Sequence, residues 1–325
     1  MNQSDIRAAL AAGGRFVRRP EPVVRAEPGS WCSGFLAPTS LVRQGDEHWL
    51  YAEGSPTGGR EAIGVYRGRP DLDPAVWTPV GENPVVEGSE RGFDRGGVFD
   101  PAVIRLGDTF YLYYSATEDD AHHYAEQLAA GAVLDGPSGE WIGLATSTDG
   151  VHWRKHPEPV LDARCPFAVV TPHGVALFYV RVVGGGYQIF VNESRDPTRF
   201  SADDERLALP VGPAGSWDAA TVTTPKVLAV DGGYLLGYAG GTGTLDDPTG
   251  FGLAFSADLG EFQRSLDAPF LTAPGVGFDA VCLQSPLLLP VAGATHLLYS
   301  GSDTLIAEGL HSQIGLATLE GPKVG

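Results

Sequence analysis

The sequence predicts an all-β fold, a five-bladed β-propeller with four antiparallel strands per blade and an N-terminal strand completing the last blade. Three observations predict it. Glycine and proline, 44 and 25 of 325 residues, make up about a fifth of the chain, against a usual ~12%. With 43% hydrophobic and 10% aromatic residues such a chain can still build a large core, so the turn-forming load implies many short elements rather than disorder. One pattern also recurs five times: an apolar strand, a tight turn, an aromatic-rich strand ending in Tyr, a loop and a third strand. Finally, the last repeat lacks a fourth strand, and the N-terminal segment 16–26 (FVRRPEPVVRA) shares Pro-Glu-Pro-Val in register with 153–163 (WRKHPEPVLDA).

The elements follow in order. Residues 4–12 form a short helix, capped by Ser4 and ended by Gly13 and Gly14, within an N-terminal segment 1–14. Segment 15–30 is the closing strand, which leaves no open edge in the ring. Blades then span about 31–88, 89–163, 164–210, 211–273 and 274–325, all within one domain, because no blade buries its faces alone. The second-strand tyrosines are Tyr51, Tyr114, Tyr179, Tyr238 and Tyr299, spaced by 63, 65, 59 and 61 residues. Third strands read IGVYR (63–67), IGLATS (142–147), IFVNES (189–194), GLAFSA (252–257) and IGLATL (314–319). Fourth strands lie around 77–87, 153–163, 200–209 and 262–272. A second helix is expected at 121–130, inside the long 2–3 loop of the second blade.

Composition excludes several functions. The net charge is −18 with three lysines, Lys155, Lys226 and Lys323, which argues against nucleic acid and anionic membranes as partners. No apolar run reaches the length of a membrane-spanning helix. The N-terminal stretch has no apolar signal core. Cys32, Cys165 and Cys282 are odd in number and far apart, so reduced thiols in a cytoplasmic protein are expected. No metal-ligand spacing, Walker motif, dinucleotide fingerprint or nucleophile elbow occurs, and no cofactor or metal is expected. The expected partner is a small molecule or sugar.

The tight 1–2 turns (QGDE, LGDT, TPHG, VDGG, AGAT) and short 3–4 turns share one face. Variable 2–3 loops crowd the other, which is the expected working face. Comparing blades separates scaffold from chemistry. Asp94, Asp218 and Asp279 each follow an aromatic and lie seven residues before Pro101, Pro225 and Pro286; threefold recurrence reads as turn-closing scaffold. The position before the inner-strand proline is Asp100 in blade II, Cys165 in III, Thr224 in IV, Ser285 in V, and Ala37 or Pro38 in blade I. Asp100 is the one acid in that column, expected near the axis with a raised pKa. Two residues past each Tyr stand Glu53, Ala116, Arg181, Gly240 and Gly301, where Glu53 and Arg181 break a run of small residues. Asp100, Glu53, Glu118 and Asp279 are therefore the candidate catalytic acids. Trp31, Arg164, Arg181, His122, His123, Trp217, Asp218, Gln284 and His311 are the candidate substrate-binding residues on the same face.

FDPAVIRLGDTFYLYYSA (99–116) followed by IGLATSTDGVHW (142–153) resembles the five-bladed glycoside hydrolases of family 43 and its relatives in families 32, 62, 68, 117 and 130. WDAATVTTPKVLAVDGGYLLGYAGG (217–241) and FDAVCLQSPLLLPVAGATHLLYSG (278–301) repeat the style, so the resemblance covers nearly the whole chain. In family 43 it implies an acidic triad of a base Asp, a tuning Asp and an acid Glu. Carried over by position, the first site is Ala37 or Pro38, the third-blade site is Cys165 and the fourth-blade site is Thr223-Thr224, so the triad is largely missing and Asp100 stands alone. The two carboxylates that glycoside cleavage requires would then be Asp100 with Glu53, Glu118 or Asp279, or an acid supplied by His, as the resemblance to family 117 allows. The leading expectation is a glycosidase-like enzyme with an atypical acid/base set. The alternatives are a diverged propeller enzyme performing a non-hydrolytic acid/base reaction such as cyclisation or elimination, and a non-catalytic sugar-binding module.

Overall fold

Five hydrogen-bonded antiparallel units, each of short strands in meander order, account for nearly all the secondary structure. The structure, a computed structural model, describes residues 5–118, 139–305 and 311–322. Blade I consists of Phe35–Gln44, Glu47–Ser55, Ala62–Gly68 and Thr78–Pro79. Blade II is Gly97–Leu106, Thr109–Thr117, Glu140–Ser147 and Arg154–Lys155. Blade III is Arg164–Thr171, Gly174–Val183, Gly186–Ser194 and Arg206–Leu209. Blade IV is Thr221–Val230, Gly233–Gly241, Gly250–Ser256 and an outer edge split into Gln263–Arg264 and Leu271–Thr272. Blade V is Cys282–Val291, Ala294–Ser302 and Ser312–Glu320, completed by the N-terminal strand Arg15–Arg18. A single parallel bridge, Tyr187 to Thr221, links blades III and IV.

The first strands of the five units touch in cyclic order, I to II to III to IV to V and back to I, so they ring a central axis. Five apolar clusters fill the five gaps between successive blades. This distribution follows from alternation: each strand sends one set of side chains to the blade before it and the other to the blade after it. The ring closes as expected, with Phe16 opposite Leu319 and Arg18 opposite Ala317. The N-terminal helix, Asp5–Ala11, buries Ile6 in the gap between blades IV and V and ends at Gly13, whose φ of 90° favours glycine. The helix expected at 121–130 lies outside the described residues. Among the described residues no helix is long and apolar enough to cross a membrane.

Two repeated devices explain the sequence columns. In blades II to V the inner strand carries a bulge of two residues, X-Pro, opposite one Tyr. The X residues, Asp100, Cys165, Thr224 and Ser285, have φ of 49°, 52°, 45° and 57°, a conformation costing on the order of 1 kcal/mol or more. The second device is an Asp–Tyr–cation set. The hydroxyls of Tyr114, Tyr238 and Tyr299 donate to Asp94, Asp218 and Asp279 at 3.3, 3.0 and 2.8 Å. Lys155, Arg264 and Arg18, each on an outer strand, pair with those same carboxylates at 2.6, 2.7 and 2.8 Å. Each set pins an outer strand to the middle of its own blade, and the Arg18 set fastens the ring closure.

Blade I departs from the expected register. Its bulge is one residue, Thr39, between the pairs Pro38–Ala52 and Ser40–Tyr51. Tyr51 packs in the gap toward blade II, whereas Tyr114, Tyr238 and Tyr299 pack in the gap toward the preceding blade. The third strands agree. Gly143, Gly252 and Gly315 lie directly across from Tyr114, Tyr238 and Tyr299, and a Cβ there would stand 2.3, 2.1 and 2.4 Å from the ring. In blade I the matching glycine, Gly64, faces Ala52, and Trp31 fills the vacated space, 2.4 Å from where a Cβ would be. Tyr51 is thus the counterpart of Tyr113, and Pro38 is the counterpart of Asp100. Glu53 corresponds to Ser115, Val180, Ala239 and Ser300. The expected column that placed Glu53 with Arg181 is one residue out of register, because it counts from Tyr51 as if from Tyr114, whereas Tyr51 is the counterpart of Tyr113.

Candidate functional site

That shift brings Glu53 to the axis. A residue in this column points toward the next blade's bulge: the Ser115 hydroxyl accepts the N–H of Cys165 at 2.8 Å. In the same way, Glu53 Oε2 accepts the N–H of Asp100 in a short hydrogen bond. Asp100 Oδ2 accepts the Ser115 hydroxyl at 2.9 Å, and the Cys165 thiol also bonds to Asp100. Glu53 and Asp100 are each 5% exposed. The left-handed backbone at Asp100 turns its N–H toward blade I, so the bulge creates the contact.

A third group was invisible to the blade comparison. Lys226, 4% exposed, lies just past the blade IV bulge, and its ammonium faces Asp100, Cys165 and Glu53. Burial lowers its pKa, while those three groups oppose the shift. Its Nζ also stands 5.3 Å from the Phe167 ring. The missed signal was a lysine, one of three in the chain, inside an otherwise uncharged inner strand (TVTTPKVLAV). Burial raises the Glu53 pKa well above its ordinary value, and the charge of Asp100 adds to this. The Asp100 N–H and Lys226 pull the other way, and Glu61, 8% exposed, pushes up again. The result is a carboxyl biased toward its protonated form beside an Asp supplied with donors. Burial and Asp100 raise the Cys165 thiol well above its usual range, so it is a neutral donor here and not a nucleophile.

A second polar cluster lies beside this one. The Arg164 guanidinium takes Glu140 at 3.4 Å, Asp246 at 3.1 Å and the Tyr187 hydroxyl at 2.5 Å. Burial opposes its charge, but Glu140, Tyr187 and Asp246 hold it firmly protonated. Gln284 donates to the Asp246 carbonyl at 2.9 Å. Arg164 and Cys165 are adjacent, so this network adjoins the carboxylate pair. Glu140, 2% exposed at the start of a third strand, was not singled out in the sequence because the long insertion before it obscures its register.

The other expected residues sit elsewhere. Arg181 pairs with Glu205 at 2.7 Å, and the same Glu205 oxygen accepts the Tyr179 hydroxyl at 2.6 Å, so Arg181 does not meet Glu53. Asp279 and Asp218 belong to the Asp–Tyr–cation sets. Trp217 stacks on Tyr238 with centroids 5.7 Å apart, and Trp31 covers Gly64. Glu118 is exposed, and its carbonyl accepts Arg95 at 2.7 Å. His311 is exposed and pairs with Asp303 at 2.8 Å. His122 and His123 lie outside the described residues. Among the described residues no three His, Cys, Asp or Glu side chains are arranged to hold a metal ion.

Comparison with known proteins supports the architecture. No family model matches the chain. An uncharacterized protein of Mycobacterium tuberculosis is 29% identical over 259 residues, covering 75% of this chain and 80% of its own. Among solved structures, a thermostable family-43 glycoside hydrolase superposes with a TM-score of 0.64 at 18% identity, covering 88% of this chain and 93% of that one. A β-1,2-mannobiose phosphorylase from Listeria innocua does so with a TM-score of 0.66 at 13% identity, covering 94% and 96%. The chain therefore has the fold of the propeller glycoside hydrolases, including those resembling families 43 and 130.

Proposed function

We propose that the protein is a sugar-processing enzyme that cleaves a glycosidic bond by acid/base chemistry at the Glu53–Asp100 pair. The observation that carries the reading is the direct contact between Glu53 and the backbone of Asp100, beside a buried lysine in the channel of a propeller. Glu53, kept protonated by burial and by Asp100, is suited to give its proton to a departing sugar oxygen. Asp100, which accepts from Ser115 and Cys165, is the group placed to face the oxocarbenium-like transition state. Lys226 balances part of that charge and limits how far the Glu53 pKa climbs.

The structural neighbours include both a glycoside hydrolase and a phosphorylase, and charge favours the former. Phosphorolysis needs cations directed at a phosphate. Among the described residues, Lys226 already faces Glu53 and Asp100, and Arg164 already faces Glu140 and Asp246. Water is therefore the proposed acceptor. A second reading has its own support. Glu53 takes the backbone N–H of Asp100 and feels the charge of its carboxyl, so the two residues form one coupled acid/base unit. One acid/base unit of this kind also suits a non-hydrolytic reaction such as elimination.

The test is turnover of a broad panel of aryl glycosides and oligosaccharides by the protein and by Glu53→Gln and Asp100→Asn. Hydrolysis that falls about 10²–10⁴-fold in each variant is expected. Hydrolysis that survives both substitutions would remove the pair from the mechanism. Sugars bound but not cut, with deuterium from solvent exchanged into a bound sugar by the wild type and not by Asp100→Asn, would move the reading to elimination.

A further inference from the structure

Lys226 has a second environment. On the face of the 1–2 turns the channel opens into a cavity of about 280 Å³, at the small end of the range for ligand pockets. Leu41, Phe167, Leu228 and Leu287 supply apolar wall from blades I, III, IV and V. The polar groups lining it are all nitrogen bases, Arg43, His48 and Lys226, and its lining contains no carboxylate. In a chain of net charge −18, Arg43 gives this cavity a positive charge that no carboxylate in its lining offsets.

Two further observations point to a ligand. His48 lines the cavity, and its Nδ1 atom is buried with no hydrogen-bond partner among the described residues, so no bond within the protein satisfies that nitrogen. Arg43 uses its Nε on the Gly45 carbonyl at 3.2 Å, which anchors the guanidinium at the cavity mouth. Burial and Arg43 lower the His48 pKa, while Asp71, outside the lining, raises it. His48 is therefore suited to donate as a neutral imidazole.

We propose that this far mouth of the channel is a binding site for a small monocarboxylate with an apolar body. The hydrocarbon part fills the leucine-rich wall, and the carboxylate takes Arg43 and His48, with Lys226 at the cavity floor. A bulky dianion such as a sugar phosphate fits less well, because most of the wall is apolar. Lys226 lines the cavity and its ammonium faces Glu53 and Asp100, so an anion bound here acts on the electrostatics of that pair through it. The site stands on its own observations and does not depend on what reaction the other face performs.

The test is calorimetric titration with octanoate and, as a control of equal length and opposite charge, octylammonium, with leucine-methyl NMR locating the bound chain. Octanoate is expected to bind one to one, to shift the Leu41, Leu228 and Leu287 methyls, and to bind at least tenfold more tightly than octylammonium. Arg43→Glu, at an exposed position that tolerates exchange, is expected to weaken octanoate at least tenfold, and Lys226→Met to weaken it as well. Equal binding of the two probes, methyl shifts elsewhere, or unchanged affinity in Arg43→Glu would each overturn the proposal.

Discussion

Asp279 discriminates sharply between scaffold and chemistry. It was a candidate acid by sequence, yet the structure gives it the partners of Asp94 and Asp218: the Tyr299 hydroxyl at 2.8 Å and Arg18 at 2.8 Å. Asp279→Asn keeps the shape and removes the charge. A hydrogen bond to a charged group contributes about 1.5–3 kcal/mol, and breaking a buried ion pair costs about 3–5 kcal/mol. Arg18 is 23% exposed while Asp279 is 5% exposed, so the freed guanidinium recovers part of its hydration. The expected loss is about 2–3 kcal/mol. It should concentrate where Arg18 sits, on a closing strand of four residues. Urea denaturation reads the total, and hydrogen exchange at Phe16 to Arg18 reads the local opening, which should exceed that of the inner strands. Turnover of the folded variant should stay near wild type. Unchanged stability together with lost turnover would refute this reasoning and return Asp279 to the catalytic set.

Three other outcomes follow from the same geometry. Glu53 is expected to make stability pH-dependent: its folded pKa lies above the ordinary 4.5, so the native state holds the proton that the unfolded chain has released. Stability therefore falls as pH rises from about 4.5 toward the folded pKa, and Glu53→Gln should flatten that slope in urea titrations at several pH values. Ser285→Gly should stabilise by about 1 kcal/mol in chemical denaturation, because it relieves a φ of 57° and removes a buried hydroxyl without a partner. Gly252→Ala should destabilise by about 2–3 kcal/mol, since a Cβ would stand 2.1 Å from the Tyr238 ring; a melting temperature within a degree of wild type would contradict that packing.

Much of the architecture was legible because it repeats. Inner-strand prolines, the Gly of the third strands and the Phe/Trp-x-Lys/Arg of the outer strands each encode a local contact that recurs around the ring. The likeness between 16–26 and 153–163 reflects Arg18 and Lys155 performing one task, each holding an Asp that bonds to a Tyr. Strand order and ring closure are consequences of local pattern and needed no coordinates, whereas Asp218 and Asp279, candidate site residues by sequence, were assigned to the scaffold by their Tyr and Arg partners.

The site was legible only in part, because it is made where the repeat is broken. Asp100 stood out as an acid in a column of neutral residues. Its partner was named but placed in the wrong company, since the blade I tyrosine, Tyr51, stands one position earlier on its strand than Tyr114 does on its own, which puts Glu53 in the axial column. An alternating strand converts a one-residue shift into a change of face, and local sequence does not report which way the slack is taken up. Lys226 and Glu140 depend wholly on tertiary structure: their significance comes from carboxylates and a guanidinium contributed by other blades. Composition and periodicity determined that this chain closes a ring of sheets. Which charges meet at the centre of that ring was decided by packing, because five strands distant in sequence converge there and burial sets their protonation.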